Sequence, residues 1–239
     1  MRKVMLLFFP LLNLSVLLAG EQECFKCDFS KGLAPSVSAA PVKAFNAGAS
    51  IVASDNGKAI RVGKKANGSI TRVAFRCQDT SAAEGLTPFP MKNGRLTFRF
   101  RPVDWKIGSN DFNMLILLSG PSKARLHVIY LTPKTTGKPS IQICYGVQGG
   151  KPSSPQKVTA LFPYVALAKD RKWHDVEVEW GEYSLNLTVD GESQLVDTAA
   201  LELPDNFTAD TLLLGAYGKQ VLAGLTDITD IHIYGDDGK

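Results

Sequence analysis

The sequence predicts an all-β protein, built as a two-sheet antiparallel β-sandwich, on three observations. Residues 173–191 alternate apolar and polar side chains with a single break at Gly181 and Glu182, the pattern of an amphipathic hairpin. About ten short segments of this kind recur with turn residues between them, and none carries the pattern of a long amphipathic helix. The apolar face of one sheet needs a cover, and a second sheet provides it.

The strands are predicted from the same period of two, and residues 94–102 show it most clearly. There Leu96, Phe98 and Phe100 point to one face and the alternating polar residues to the other. Residues 112–118 are apolar on both faces, as expected for a covered central strand. The remaining predicted strands are residues 59–62, 69–76, 125–131, 140–145, 212–215 and 228–234, of which 125–131 and 140–145 form a second hairpin.

The first twenty residues predict an export signal. Arg2 and Lys3 precede an apolar run that is too short to cross a bilayer comfortably, and Ala19 and Gly20 offer small residues for cleavage. We therefore expect a signal peptide over residues 1–20 and one domain over residues 21–239. The mature protein is expected to be secreted, periplasmic or at the cell surface, without stable membrane insertion.

Charge and cysteine content narrow the partners and the compartment. The formal net charge of +4 is small and its lysines and arginines are scattered, so the composition argues against nucleic acid or an anionic membrane as partner. In an exported chain the four cysteines, Cys24, Cys27, Cys77 and Cys144, predict disulfides, with every pairing open.

The hairpin residues, Trp-His-Asp-Val-Glu-Val-Glu-Trp followed by Leu-Thr-Val-Asp-Gly, resemble a hairpin of the concanavalin A-like lectin/glucanase superfamily, in its laminin G-like branch. Residues 27–33, 59–63, 94–105 and 214–215 with 224–234 resemble further strands of that family in the same order. The resemblance implies a jelly-roll sandwich, with residues 27–33 as its opening strand, and binding of an extracellular glycan or glycoprotein.

The superfamily also contains glucanases, which carry three carboxylates on one strand, the first as nucleophile and the last as general acid/base. The spacing of Glu177, Glu179 and Glu182 imitates this set. Their place in the Trp-His hairpin comes after the position of the glucanase catalytic strand, so we predict a solvated strand face instead. Residues 215–220 echo an alginate-lyase strand, but its Arg-x-Glu-x-Arg companion has Phe100 in place of the glutamate.

Two further expectations rest on the resemblance. Calcium is typical of the family, and Asp28, Asp227 and Asp230 are the candidate ligands, although Thr229 stands where the family has its aspartate. Sugar rings stack on flat aromatic side chains, for which Trp105, Trp173 and Tyr217 are the candidates. Trp173 is expected to point outward with the glutamates of the hairpin.

We therefore expect a secreted, non-catalytic carbohydrate-binding or adhesion module of laminin G-like type. The alternatives are a divergent glycoside hydrolase or polysaccharide lyase acting on extracellular glycans, and a structural envelope module. Asn67, Asn186 and Asn206 fit the N-glycosylation pattern, and the sequence gives no indication of the oligomeric state.

Overall fold

The computed structural model describes residues 21–78, 87–105, 112–120, 123–131, 139–147, 160–167, 170–205, 207–215 and 224–236. The predicted signal peptide, Tyr217 and Asn206 lie outside these ranges. Within them the chain is all-β, and no helix there is long and apolar enough to cross a membrane.

Seventeen strands are formed by the described residues. In chain order they are β1 (Glu21–Cys27), β2 (Val37–Ser38), β3 (Val42–Ala47), β4 (Ser50–Ser54), β5 (Gly57–Lys64), β6 (Ile70–Cys77), β7 (Gly94–Pro102), β8 (Phe112–Ser119), β9 (Ala124–Leu131), β10 (Ser140–Val147), β11 (Ala160–Leu161), β12 (Tyr164–Ala166), β13 (His174–Trp180), β14 (Ser184–Val189), β15 (Glu192–Asp197), β16 (Thr211–Gly215) and β17 (Leu225–Asp236).

The strands form two antiparallel sheets. In the first sheet β17 pairs along one side with β7, which pairs in turn with β13, and β14 and β15 follow. On its other side β17 pairs with β5 through its first half and with β1 through its second half. The second sheet runs β3, β6, β16, β8, β9 and β10, with β11 and β12 beside β10. A short pairing of β5 with β6 joins the sheets at one corner.

The core lies between the two sheets and is rich in aromatic side chains. Phe25 of the first sheet meets Phe75 of the second edge to face, with ring centroids 5.2 Å apart. Tyr145 is fully buried, and its hydroxyl donates a 2.7 Å hydrogen bond to the Met91 carbonyl. Burial of such large rings supplies most of the driving force for this kind of packing.

Gly215 lets the second sheet come close to the first. Its φ of +86° lies in the left-handed region, and an added Cβ would stand 2.8 Å from the Cβ of Val62 on the first sheet. Any other residue would therefore strain both the backbone and the packing at the end of β16.

The predicted sandwich is confirmed, and so are the strands with clear alternation. The opening hairpin is β13 and β14, and β7 has the predicted bounds, with Leu96, Phe98 and Phe100 buried. Strand β8 is buried over most of its length, as its apolar sequence predicts.

Two differences from the prediction stand out. The opening strand is β1, which ends at Cys27, because residues 28–33 turn back: Phe29 has a φ of 60° and its carbonyl accepts a hydrogen bond from the Gly32 amide. Strands β3, β4 and β15 were not predicted. They are edge or near-edge strands with mostly exposed side chains, so the alternation between apolar and polar residues is weak.

The cysteines differ from the expectation of disulfides, because all four are free thiols in the structure. Burial raises the pKa of Cys27 and of Cys144 to about 11 each. The pKa of Cys77 also rises to about 11, through burial and the nearby charge of Asp210. The thiolate is the reactive form, so these thiols are poor nucleophiles at neutral pH.

His127 is a half-buried base on the outer side of the second sheet, opposite Leu117 and Cys144. Its Nδ1 atom is inaccessible to solvent and has no hydrogen-bond partner. Burial, with a smaller contribution from the charge of Arg125, lowers the pKa of His127 to about 4. The folded protein therefore holds a neutral imidazole at pH values where the unfolded chain is protonated.

The thiol content provides a test of the cysteine assignment. Protein purified without reductant and unfolded in guanidinium should react with a thiol reagent at all four cysteines. The folded protein should react slowly at pH 8, because Cys24, Cys27 and Cys144 are buried and Cys77 is half-buried. A deficit of reactive thiols in the unfolded protein, restored by a reductant, would establish disulfides instead.

The titration of His127 should make the protein less stable in mild acid. The unfolded chain binds a proton near pH 6.5 and the folded chain only near pH 4, so stability is lost as the pH falls through that window. Between pH 7.5 and pH 5 this group should cost about 2 kcal/mol. Urea unfolding of His127→Gln should show a correspondingly weaker pH dependence than the wild type, and equal dependence would contradict the assignment.

Candidate functional site

The outer face of the first sheet carries an arginine row, formed by Arg95, Arg99 and Arg101 of β7. These residues point away from the core because they alternate with the buried Leu96, Phe98 and Phe100. Each arginine contacts a carboxylate from another strand or turn of the first sheet, and the face is therefore covered by charged pairs rather than by apolar side chains.

A cavity of about 350 Å³ lies on this face and is here called the polar cleft. Its side chains come from four strands that are far apart in sequence: Thr97 and Arg99 of β7, Asp175 and Glu177 of β13, Thr188 of β14 and His232 of β17. The β14–β15 turn adds Asp190 and Gly191, and Asp230 of β17 completes the lining.

Arg99 is the most connected side chain of the polar cleft. Its guanidinium binds both oxygens of Asp55, at 3.2 and 2.9 Å, and its Nε lies 3.1 Å from Asp175. Asp230 is 3.9 Å away on a third side. The hydrogen bond to Asp55 raises the pKa of Arg99 and lowers that of Asp55, so this pair stays ionised.

The backbone turn at the end of the cleft is held by His174. Its two ring nitrogens face Asp190 at 2.7 Å and Asp170 at 3.0 Å, and its ring packs against Phe100. The other oxygen of Asp190 accepts a hydrogen bond from the Asp175 amide. These contacts fix Asp190 in its left-handed conformation, with a φ of 51°.

Glu177, Glu179 and Glu182, whose spacing imitates a glucanase catalytic set, each contact a different partner in the structure. Glu177 lines the cleft and lies 3.5 Å from Arg95, whereas Glu179 points out beyond the cleft and accepts a hydrogen bond from Asn186. Glu182 lies in the break between β13 and β14, where it binds the phenol of Tyr183. The trio therefore does not converge on one point in space.

Asp227, a candidate calcium ligand, already has two arginine partners in the structure. Asp227 is fully buried, with 0% of its side chain exposed, and binds Arg61 at 2.7 and 3.0 Å and Arg101 at 2.7 Å. Asp28 caps its own turn by accepting hydrogen bonds from Ser30. No cluster of three acidic, histidine or cysteine side chains that could hold a metal occurs among the described residues.

The aromatic candidates have different fates. Trp105 is only 5% exposed and belongs to the core. Its Nε1 donates a hydrogen bond to the Thr226 hydroxyl, and the centroids of its ring and the Tyr130 ring are 4.1 Å apart. It is therefore not a platform for a ligand. Trp173 lies on the outer side, as predicted, but Arg99 and Arg101 cover its ring at 5.2 and 4.9 Å. Tyr217 lies outside the described residues.

Arg99, Thr97, Asp190 and His232 were not predicted as site residues. Their only signal in the sequence is that three of them stand at outward positions of amphipathic strands. The partner of His232 could not be foreseen from the sequence either: its Nδ1 donates to Glu23, which is far away in the chain, at 2.6 Å.

The chemistry available to the polar cleft is directional hydrogen bonding. It presents carboxylates, a guanidinium, an imidazole and two hydroxyls on four adjacent strands of the first sheet, β14, β13, β7 and β17, and in the β14–β15 turn. Such groups recognise polar ligands such as polyhydroxylated molecules when they are held in place by mutual contacts.

Comparison with known proteins shows a similar fold among solved structures but identifies no protein family. No protein-family model matches the chain, and no curated protein matches it in sequence. Solved structures do match: the receptor-binding domain of botulinum neurotoxin D at 10% identity and a TM-score of 0.62, and that of type G at 12% and 0.61. Both matches cover 91% of this chain.

A receptor-binding domain of the mosaic serotype C/D is similar at 9% identity and a TM-score of 0.63, again over 91% of this chain. This chain spans about half the length of these neurotoxin domains, with 48–50% of each covered. At such low identity the likeness establishes the fold and says nothing of the ligand.

The buried Asp227 should be essential for stability. Asp227→Asn leaves Arg61 and Arg101 without their anion, and we expect the free energy of unfolding in urea to fall by about 3 kcal/mol. Asp230→Asn is the matched control, because Asp230 is part-exposed and 3.9 Å from Arg99, and should cost under about 1 kcal/mol. Similar losses in both variants would contradict the special role of the Asp227 pairs.

Proposed function

We propose that this domain is an exported, laminin G-like β-sandwich of the concanavalin A-like superfamily that binds an extracellular glycan or glycoprotein without altering it chemically. The polar cleft is the observation that carries the proposal. It concentrates hydrogen-bonding side chains on the outer face of a sheet whose other face is the core. A sugar offers hydroxyls around a rigid ring, and such groups are recognised by donors and acceptors in fixed positions.

The fixed positions come from the ion pairs. Arg99 is held by Asp55 and Asp175, and Asp190 by His174 and the Asp175 amide, so the cleft does not have to order its side chains when it binds. Side chains that are already ordered lose less conformational entropy on association. Strand β7, between β17 and β13, supports this arrangement from below.

The receptor-binding domains that share the fold give general support. By name these are receptor-binding domains, and each is similar in fold over 91% of this chain. We propose an analogous recognition role for this domain, with a ligand of its own.

A hydrolase is supported less well, because a glycosidase needs one carboxyl that keeps its proton near neutral pH and a second that is ionised beside it. Glu177 is 39% exposed and sits beside Arg95, and Glu179 and Glu182 bind other partners. For a lyase, the Arg99 and Arg101 that echo the family's strand are already engaged by aspartates. We therefore propose binding alone.

A glycan array identifies the ligand, and Glu177→Gln tests the cleft. We expect this variant to weaken binding of the best ligand at least tenfold, since the carboxylate lines the cleft and amide nitrogen cannot accept a hydrogen bond. Glu179→Gln is the matched control, because Glu179 lies two residues further along β13 and outside the cleft, and should bind as the wild type does.

The outcomes are distinct. Equal weakening in both variants, or none in Glu177→Gln, would place binding elsewhere. Release of reducing ends or of unsaturated sugars from the bound glycan would establish an enzyme. The array is run with and without a calcium chelator, and equal binding is expected because Asp227 is occupied by two arginines.

A further inference from the structure

A second cavity, of about 320 Å³, lies on the opposite side of the molecule, on the outer face of the second sheet at its β3 edge. It is here called the basic pocket and is lined by Phe45 and Ala47 of β3, Arg72, Ala74 and Arg76 of β6, and Leu213 of β16. The cross-strand register places Lys43 opposite Arg76, Phe45 opposite Ala74 and Ala47 opposite Arg72.

Two cations lie at the ring of Phe45: Arg76, which lines the basic pocket, and Lys43, which stands beside the pocket on β3. Phe45 is 43% exposed, and the Lys43 ammonium and the Arg76 guanidinium stand 5.2 and 5.3 Å from its centroid. Like charges directly opposite each other on neighbouring strands repel. The ring attracts both cations and holds them near each other, which prepares a place for an anion between them.

Lys43, Arg72 and Arg76 differ from the arginine row in their ion pairs. Every arginine of the row is paired with an aspartate or glutamate, whereas no ion pair found in the described part of the chain involves Lys43, Arg72 or Arg76. Asp210, which stands next to the pocket residue Thr211, accepts a hydrogen bond from the Thr211 hydroxyl. Among the described residues, the positive charge of the basic pocket is therefore not neutralised by an ion pair.

The floor and rim of the pocket add a second type of contact. Ala74 and Leu213 form an apolar floor that continues into a cluster with Met114 and Leu117. Ser119 and Thr211 bring hydroxyls to the rim. Arg72 and Arg76 are four residues apart on β6, which separates their Cα atoms by about 13 Å along the strand.

We propose that the basic pocket binds an acidic polysaccharide. Lys43 and Arg76 hold one carboxylate or sulfate group, Arg72 holds the next one along the chain, and the apolar floor contacts the C–H face of the sugar between them. Single-stranded nucleic acid fits less well, because it needs a series of free aromatic faces for its bases and the pocket has Phe45 alone, with cations at its ring. This site is separate from the polar cleft and does not depend on what binds there.

The experiment measures the affinity of the full domain for dextran sulfate and for polygalacturonate, with neutral dextran as the uncharged reference. Binding of either polyanion is expected, and the stronger of the two shows whether sulfate or carboxylate is preferred. Arg72→Gln/Arg76→Gln should weaken that binding at least tenfold and make it less dependent on salt, because fewer counterions are released. Both side chains are exposed, so the variant should fold normally.

Arg171→Gln/Lys172→Gln is the matched control, since it removes the same charge from exposed positions beside the first sheet and should bind within twofold of the wild type. Phe45→Leu should also weaken binding, because it removes the ring that positions the cations, whereas Phe45→Tyr should retain it.

Three results would overturn the proposal. The first is an equal loss of polyanion affinity in Arg72→Gln/Arg76→Gln and in Arg171→Gln/Lys172→Gln. The second is binding of neutral dextran as tight as that of the polyanions. The third is binding of an oligothymidylate at least as tight as that of either acidic polysaccharide.

Discussion

The alternation of β7 is the constraint on which the first sheet depends. Leu96, Phe98 and Phe100 face the core while Arg95, Arg99 and Arg101 face outward, so a shift of one residue in its pairing would bury three guanidinium groups. Burying a charge without partners costs several kcal/mol, and this fixes the register of β7 against both β17 and β13. The polar cleft and the pairs around it inherit their geometry from that register.

The outer faces of the two sheets differ in how their charged side chains are paired. On the first sheet, arginines and carboxylates neutralise each other and the surface is ordered by its own pairs. On the second sheet, Arg72 and Arg76 flank an apolar floor with Lys43 beside them, and none of the three forms an ion pair within the described ranges. The molecule therefore presents one face that offers fixed hydrogen bonds and one that offers net positive charge, although its overall charge of +4 is modest.

The sequence predicts the fold where each strand has one covered face. In β7, β13 and β14 the covered face alone requires the alternation, so local sequence is sufficient. It fails for β3 and β4, because most of their side chains are exposed and no covered face requires an alternating pattern. It also fails for the partners of single residues: the sequence offers Asp227 as a calcium ligand because it cannot show that Arg61 and Arg101 lie on the two strands beside it. The sequence likewise cannot show that Trp105 is buried, because its exposure depends on Tyr130 of the second sheet, which packs against it.

Strand β17 has a consequence for how the chain reaches this structure. It is the last of the seventeen described strands, yet it lies inside the first sheet, between β7 and the strands β1 and β5. Until β17 has been synthesised, β7, β5 and β1 have no common neighbour and their apolar faces have no complete sheet to join. Contacts between distant parts of a chain form slowly, and the first and last strands here must find each other. The first sheet therefore cannot be completed until the chain has been synthesised as far as β17.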